Sequence, residues 1–177
     1  MKGILYIVVP CYNEEEVLPE TAKRLRAKLE AMIAAEKISD KSRILFINDG
    51  SKDHTWATIS TLHTQCHLFS GVDLSRNRGH QNALLAGLMT AKDRADMVIS
   101  MDADLQDDVD VIEEMVDKYA AGAEIVYGVR NNRDTDTGFK RNTAQAYYRL
   151  MNRLGTEVVY NSADFRLMSS HCRDGER

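Results

Sequence analysis

The sequence has few cysteines, no long apolar run and no excess of positive charge, and each absence excludes a class of protein. The three cysteines, Cys11, Cys66 and Cys172, are too few and too scattered for a disulfide framework or a zinc knuckle, so we expect reduced thiols. No apolar segment approaches the ~20 residues that span a bilayer, and the first residues lack the pattern of a signal peptide. We therefore expect a soluble, cytoplasmic chain.

A dominant basic stripe is also absent. The formal net charge is -4 at pH 7, so nucleic acid is not expected as a partner. The chain contains no Pro/Gly-rich linker, low-complexity tract or internal repeat that would divide it. With 177 residues, of which 44% are hydrophobic, it can build a core of its own. We expect residues 1–177 to form a single α/β domain.

Short apolar runs alternate with amphipathic helical patterns along the chain. The runs predict strands at Ile4–Val9, Arg43–Ile47, Phe69–Leu74, Met97–Met101 and Ile125–Val129. Each run is followed by polar residues and then by apolar residues at helical spacing. This alternation is typical of a mainly parallel sheet with helices on both faces. Ligands bind such sheets beyond the carboxyl ends of the strands.

Four carboxylates follow the fourth predicted strand: Asp102, Asp104, Asp107 and Asp108. In extended backbone Asp102 and Asp104 point to the same side and can share a divalent cation, to which Gln106 can add a carbonyl oxygen. Oxygen ligands without nearby Cys or His favour Mg²⁺ or Mn²⁺ over zinc. Asp107 and Asp108 have a simpler interpretation as caps of the next helix. The pattern therefore predicts a metal site at Asp102 and Asp104.

Two other strand ends carry polar or aromatic residues. After the first strand, Tyr12 lies where a base could stack, and Asn13 can cap the following helix. After the second strand, Ser51 or Asp53 can cap a helix, whereas Asp49 could accept hydrogen bonds from a ribose or a base. The glycine fingerprint of nicotinamide-dependent enzymes is absent, which argues against that class. We expect Asp49 and Asp102 to lie at the ends of adjacent or nearly adjacent strands.

Two further groups have a structural as well as a functional interpretation. One consists of His63, Cys66 and His67, and the other of Arg76, Arg78 and His80. The first group has the spacing of a metal site but lacks a fourth ligand, so we favour a solvated helix face. The second group would suit a phosphate, although a single basic loop is more often just surface.

Seven co-linear motifs together resemble those of the family 2 inverting glycosyltransferases. They are Val9–Glu14, Asn48–Ser51, Ser75–Asn77 with Gly79–Gln81, Met101–Asp107, Val126–Arg130, Phe139–Arg141 and Ala163–Met168. The resemblance runs from Ile7 to about Met168. It is strongest to enzymes that transfer a hexose to polyprenyl phosphate, such as dolichol-phosphate mannosyltransferases and bacterial undecaprenyl-phosphate glucosyltransferases.

The resemblance implies a Rossmann-like GT-A fold and assigns roles to individual residues. The residues that would hold the nucleotide are Pro10, Tyr12, Glu14, Asp49 and Asp102. Those that would surround the diphosphate and its Mg²⁺ or Mn²⁺ are Asp102, Asp104 and Gln106. Arg130 and Arg141 would lie near the phosphates of donor or acceptor. Asp164 would serve as the general base toward a sugar hydroxyl, or would orient the metal, the sugar or Arg166 when the acceptor is an ionised phosphate.

The implied activity is hexose transfer from UDP- or GDP-hexose to polyprenyl phosphate. The alternatives are a non-catalytic nucleotide-sugar-binding remnant and a family 2 transferase acting on a sugar hydroxyl. A sugar-1-phosphate nucleotidyltransferase would want a Gly-rich loop after Val9, and none is present. Members of this subgroup usually continue into amphipathic and membrane helices, so we expect a truncated catalytic core, with the longer form at the cytoplasmic face of the membrane; a naturally short protein is the alternative. Self-association is left open.

The polar segment 131–138 ends in glycine and has no apolar anchor, so it cannot contribute to a core. One interpretation is a mobile loop that closes over the donor and brings Arg130 toward Lys140 and Arg141. The other is an ordinary solvent-exposed connection. The sequence favours neither.

Overall fold

The computed structural model describes residues 2–104, 106–129 and 162–170. Its elements are β1 (Leu5–Cys11), α1 (Leu18–Ala34), β2 (Arg43–Asn48), α2 (Thr55–Gln65), β3 (Phe69–Asp73), α3 (His80–Ala91), β4 (Met97–Ser100), α4 (Val111–Ala120), β5 (Ile125–Val129) and β6 (Ser162–Ser169). The five predicted strands are confirmed, each to within two residues at either end. The segment 131–138, Arg130 and Arg141 lie outside the described residues.

The strands form one six-stranded sheet in the order β3-β2-β1-β4-β6-β5. The pairs β1–β2, β1–β4 and β2–β3 are parallel, whereas β6 is antiparallel to both β4 and β5. The expected mainly parallel sheet is therefore confirmed. The strand β6 was not predicted, although the polar Asp164 and Arg166 alternate with the core-facing Phe165 and Leu167 as in a half-buried strand.

Helices cover both faces of the sheet, as expected. On one face, α1, α2 and α4 pack on alternate residues of the strands, such as Ile7 and Val9 of β1. On the other face, α3 packs on Val8 and on Ile47 of β2. Because successive residues of a strand point to opposite faces, burial of both faces requires the continuous apolar runs seen in the sequence. Among the described helices, none combines the length and the apolar character needed to cross a bilayer.

Two of the predicted helix caps, Asn13 and Asp107, are wrong. Helix α1 begins at Leu18 after the N-cap residue Val17, so Asn13 lies four residues too early to cap it. Helix α4 begins at Val111 after Asp110, and Asp108 caps the turn that enters it, since its Oδ1 accepts a hydrogen bond from Asp110 N (2.9 Å). Both helices are entered through short turns that the apolar pattern does not mark.

For α2, one of the two predicted caps, Asp53, makes the expected contact. The Oδ1 of Asp53 accepts hydrogen bonds from the backbone N–H (3.0 Å) and the hydroxyl (2.6 Å) of Thr55, the first residue of the helix. Further along, a ring nitrogen of His63 lies 2.7 Å from the carbonyl oxygen of Phe69. This contact explains His63 as a structural residue and agrees with the interpretation that we favoured.

Candidate active site

A cavity of about 260 Å³ opens at the carboxyl edge of the sheet. Six residues that were expected to hold a nucleotide or a metal line it: Pro10, Tyr12, Glu14, Asp49, Asp102 and Asp104. Asn77, Gly79 and His80, from the loop before α3 and its first residue, also line it. Because β2 and β4 flank β1, the expected proximity of Asp49 and Asp102 is confirmed. The architecture thus converts separate strand ends into one concave surface.

Two residues of β1 and its following loop form one wall. The carbonyl of Val8 still accepts a hydrogen bond from Met101 N, but β4 pairs with β1 only as far as Val8. Pro10, two residues further, therefore faces a position where β4 has ended and no strand needs its missing N–H. Next to it the ring of Tyr12 is 41% exposed, so an aromatic face is accessible at the rim of the cavity.

Asp49 is almost completely buried and makes contacts that the sequence did not indicate. Its Oδ1 accepts a hydrogen bond from Arg78 N (2.7 Å), and its Oδ2 accepts one from Gly79 N (2.9 Å). The adjacent Gly50 has φ +64°, and a Cβ there would lie 2.5 Å from Asn77 N. Asp49 and Gly50 therefore hold the loop before α3 against the end of β2.

The two carboxylates after β4 reach the cavity by a route that differs from the expected one. The strand ends at Ser100, and Ala103 and Asp104 form a turn, so the prediction of extended backbone through this segment is wrong. The turn nevertheless brings Asp102 and Asp104 to the same cavity. The Nε2 of His80 lies 3.8 Å from Asp102 Oδ1, so this histidine joins the site from the start of α3.

Gln106 does not line this cavity. Its backbone N–H donates to Asp104 Oδ1 (3.1 Å), while the residue lines a separate cavity beside Arg24 and Lys28 of α1. Asp164 belongs to β6, but its side chain is outside the described part of the structure, as are Arg130 and Arg141. The structure therefore brings together the nucleotide set and two of the three metal candidates.

The cavity has a strongly negative wall. The pKa of Glu14 is raised, first by burial of the carboxyl and then by the negative charges of Asp104, Asp53 and Asp102. Burial, with a smaller contribution from Glu14, also raises the pKa of the Cys11 thiol. The thiol is therefore protonated at neutral pH, and it is not a nucleophile.

A divalent cation fits this environment, because it would offset the repulsion among the carboxylates, which adds to burial in raising the pKa of Glu14. Among the described residues, no three His, Cys, Asp or Glu side chains converge as a ligand set. The described protein groups would thus supply the carboxylates of Asp102 and Asp104, and the remaining ligands would be diphosphate oxygens and water. Mg²⁺ is commonly held in this way, by one or two carboxylates together with substrate phosphates.

Comparison with known proteins agrees with this geometry. The model of the Glycosyl transferase family 2 matches residues 6–172. The chain is 55% identical over 166 residues to the uncharacterized glycosyltransferase YkoT of Bacillus subtilis, covering 94% of this chain and 49% of that protein. It is 41% identical over 164 residues to the bactoprenol glucosyl transferase of Shigella phage SfV, covering 92% of this chain and 51% of that protein. The chain thus spans about half the length of these curated relatives.

Solved structures show the same fold at low sequence identity. Glucosyl-3-phosphoglycerate synthase from Mycobacterium tuberculosis, in complex with UDP, is 14% identical with a TM-score of 0.65, covering 96% of this chain and 57% of that one. The mannosyltransferase PcManGT from Pyrobaculum calidifontis, in complex with GDP-Man and Mn²⁺, is 19% identical with a TM-score of 0.55, covering 96% and 45%. The fold is therefore the GT-A glycosyltransferase fold, and the chain belongs to glycosyl transferase family 2.

Proposed function

We propose that this chain is the catalytic core of a metal-dependent inverting glycosyltransferase that moves a hexose from UDP- or GDP-hexose to a polyprenyl phosphate. The observation that carries the proposal is the convergence of Asp49, Asp102 and Asp104 on one cavity at the carboxyl edge of the sheet. The 41% identity to bactoprenol glucosyl transferases supports the acceptor class. The UDP and GDP-Man complexes of fold neighbours support the donor class.

The nucleotide sugar would lie along the cavity, with its base and its diphosphate next to different lining residues. The exposed ring of Tyr12 offers a face for the base, and Asp49 lies at the same end of the sheet. Asp102 and Asp104 would hold Mg²⁺ or Mn²⁺ against the diphosphate. When bound, the cation supplies positive charge that stabilises the departing nucleoside diphosphate. His80 lies beside Asp102 and adds a polar group to the same region.

The strand β6 supports a catalytic role for Asp164. In the antiparallel pairing of β4 and β6, Ser100 is opposite Arg166. Ser100 is the last residue of β4, and β6 is antiparallel to it, so the first residues of β6 come to the edge where β4 ends. Asp164, the carboxylate proposed to act near the attacking group, therefore belongs to the start of a strand at the proposed metal-binding edge. Arg130 and Arg141 are included among the proposed catalytic residues because they belong to the sequence motifs.

The acceptor decides what Asp164 has to do. A phosphate monoester is largely ionised near pH 7, so attack by its oxygen needs no general base. For this acceptor Asp164 would orient the metal, the sugar or Arg166. For a sugar hydroxyl, Asp164 would instead remove the proton.

A transfer assay tests the proposal directly. The 177-residue chain is incubated with a panel of labelled UDP- and GDP-hexoses, Mn²⁺ or Mg²⁺ and a short-chain polyprenyl phosphate, and the glycosylated lipid is measured. Asp102→Asn should abolish product formation, whereas Asp117→Asn, an exposed carboxylate of α4, should leave it unchanged. Donor binding without transfer to any acceptor would instead indicate a nucleotide-sugar-binding module. Transfer to a sugar hydroxyl alone would replace the acceptor in the proposal.

A further inference from the structure

The loop after β1 is fastened to the loop after β2 by three consecutive backbone N–H groups. The bonds run from Asn13 N to Ser51 Oγ (3.0 Å), from Glu14 N to Thr55 Oγ1 (2.9 Å) and from Glu15 N to Asp53 Oδ2 (3.2 Å). Two bonds run in the opposite direction, from Lys52 N to Asn13 Oδ1 (2.9 Å) and from His54 N to Glu15 Oε2 (2.7 Å). The two loops and the first residue of α2 are therefore held together as one unit, since each side satisfies backbone groups of the other.

Asn13 has the most constrained conformation in this unit. Its φ is +55°, in the left-handed region that asparagine tolerates better than most residues with a Cβ. Both its backbone N–H and its side-chain oxygen are bonded to the second loop. The turn that results separates Tyr12 from Glu14, and both of these neighbours line the cavity. Asn13 itself lines a different depression, beside Lys52 and Asp53.

We propose that Asn13 is a positioning residue for the donor, which fixes the turn that presents Tyr12 and Glu14 to the cavity. This inference rests on the proposed function, since it takes the cavity to be where the nucleotide binds. Asn13 acts through the backbone and through the loop at Ser51 and Lys52, without touching the ligand. Holding the loop in its bound shape in advance lowers the ordering cost that nucleotide binding would otherwise incur.

Variants at Asn13 separate its two contributions. Asn13→Ala loses the side-chain acceptor and disfavours the left-handed conformation. We therefore expect UDP or GDP to bind about tenfold more weakly in the presence of Mn²⁺. This loss is smaller than the ~100-fold effect that a misplaced group can have on a reaction rate. Asn13→Gly keeps the conformation but loses the acceptor, so its loss should be smaller. The matched control is Glu36→Ala. Glu36 also has a positive φ, of +61°, but it lies in the turn after α1 and lines a cavity away from the candidate site.

A second pair of variants tests the partner side of the same contact. Ser51→Ala removes the oxygen that accepts from Asn13 N, and Ser51→Thr keeps a hydroxyl at that position. Binding should weaken in the first variant and return to within about twofold of wild type in the second, the small residual difference reflecting the added methyl group. This pair keeps the proposal testable if Asn13→Ala folds poorly.

Calorimetry with UDP and GDP, followed by donor kinetics on the full chain, decides the outcome. A positioning role raises the donor KM with little change in kcat, whereas a merely structural role lowers the folded fraction and leaves KM unchanged. The inference is overturned if Asn13→Ala binds nucleotide like wild type, or if Glu36→Ala weakens binding equally. Absence of nucleotide binding by the wild-type chain would overturn the proposed function itself, and the inference with it.

Discussion

At the scale of single residues, Asp49 combines a place in the cavity wall with a structural task. Its two carboxylate oxygens accept hydrogen bonds from the backbone of residues 78 and 79, and the side chain is only 2% exposed. Asp104 is an exposed residue of a turn, and its role in our proposal depends on a cation. The two carboxylates should therefore respond differently to the same substitution.

Asp49→Asn should weaken nucleotide binding with or without metal, whereas Asp104→Asn should weaken it mainly when Mg²⁺ or Mn²⁺ is present. Asp49→Asn also places an amide NH₂ against a backbone N–H, so the free energy of unfolding should fall by about 1–3 kcal/mol. Asp104→Asn should change it by less than about 0.5 kcal/mol, as is usual for exposed positions. Calorimetry with and without Mn²⁺ and urea unfolding measure the two effects. Equal metal dependence in both variants would contradict the division of roles.

Glu14 carries an electrostatic cost that a second variant should reveal. Its pKa is raised by burial and by the nearby carboxylates, so the charged form is disfavoured in the folded chain. A raised carboxyl pKa costs stability above the folded-state value, and this cost disappears as the pH falls below the value of the unfolded chain. Glu14→Gln should therefore stabilise the metal-free protein at pH 7, by about 0.5–1 kcal/mol.

Thermal unfolding of wild type and Glu14→Gln at several pH values tests this. The Tm advantage of the variant should shrink as the pH falls toward about 4, where glutamate is protonated in both states. Saturating Mn²⁺ should also reduce it, because the cation offsets the same repulsion. A variant with a lower Tm than wild type at pH 7 would show that Glu14 is stabilised in its present environment rather than repelled.

At the scale of elements, the fit between α3 and the sheet positions the loop that Asp49 holds. Gly87 of α3 faces β1 and β2, and a Cβ at this position would clash with Val8 Cγ1 and lie 3.0 Å from Ile47 Cγ1. The helix backbone can therefore lie close to the two central strands. Since α3 begins at His80, its distance from the sheet also sets where His80 meets Asp102.

Gly87→Ala should lower the free energy of unfolding by about 1–3 kcal/mol, because the added methyl group overpacks a filled interface. The better helix propensity of alanine, worth about 1 kcal/mol, offsets only part of this cost. Leu85→Ala, on the exposed side of the same helix, is the control and should change stability by less than about 0.5 kcal/mol. Urea denaturation followed by circular dichroism compares them. A stabilised Gly87→Ala variant would show that the interface between α3 and the sheet can accommodate the added methyl group.

At the scale of the whole molecule, all the described strands belong to one six-stranded sheet, and the described helices pack on it. The strand β3 and helix α2 lie at one end, and β5 and β6 lie at the other. Side chains from both ends, including Ile59 and Val126, belong to the same buried cluster. This continuity predicts one cooperative unfolding transition for the described elements.

Trp56, the only tryptophan, reports on the α2 end of the sheet. We expect its fluorescence and the far-UV circular dichroism to give coincident midpoints in urea. Val126→Ala in β5, at the opposite end, should shift both midpoints together and cost about 0.5–3 kcal/mol. A shift in circular dichroism alone would mean that the β5–β6 end unfolds separately and that the chain is not one cooperative unit.

Much of this protein was determined by the sequence itself. Apolar runs in Ile44–Ile47 or Met97–Ile99 can be buried only in strands covered on both faces, so the class of fold follows from local composition. The polar residues that end those runs identify the functional edge, because parallel strands align their carboxyl ends. Tyr12, Asp49 and Asp102 were predicted in this way to share one surface and do line one cavity, and the co-linear motifs that contain them gave the family.

Only the tertiary structure decided how those residues are held. The contact of Asp49 with residues 78 and 79 and the joining of Asn13 to Ser51 link positions about 30 to 40 residues apart, which no local pattern reports. The turn at Ala103 and Asp104 is held by another long-range contact, in which the hydroxyl of Thr21 donates to the carbonyl oxygen of Ala103 (2.7 Å). The position of β6 between β4 and β5 is likewise set by which strands pair, and no local pattern reports this. Periodicity fixes which face of a strand is buried, but the neighbour of that strand is set by the packing of the whole sheet.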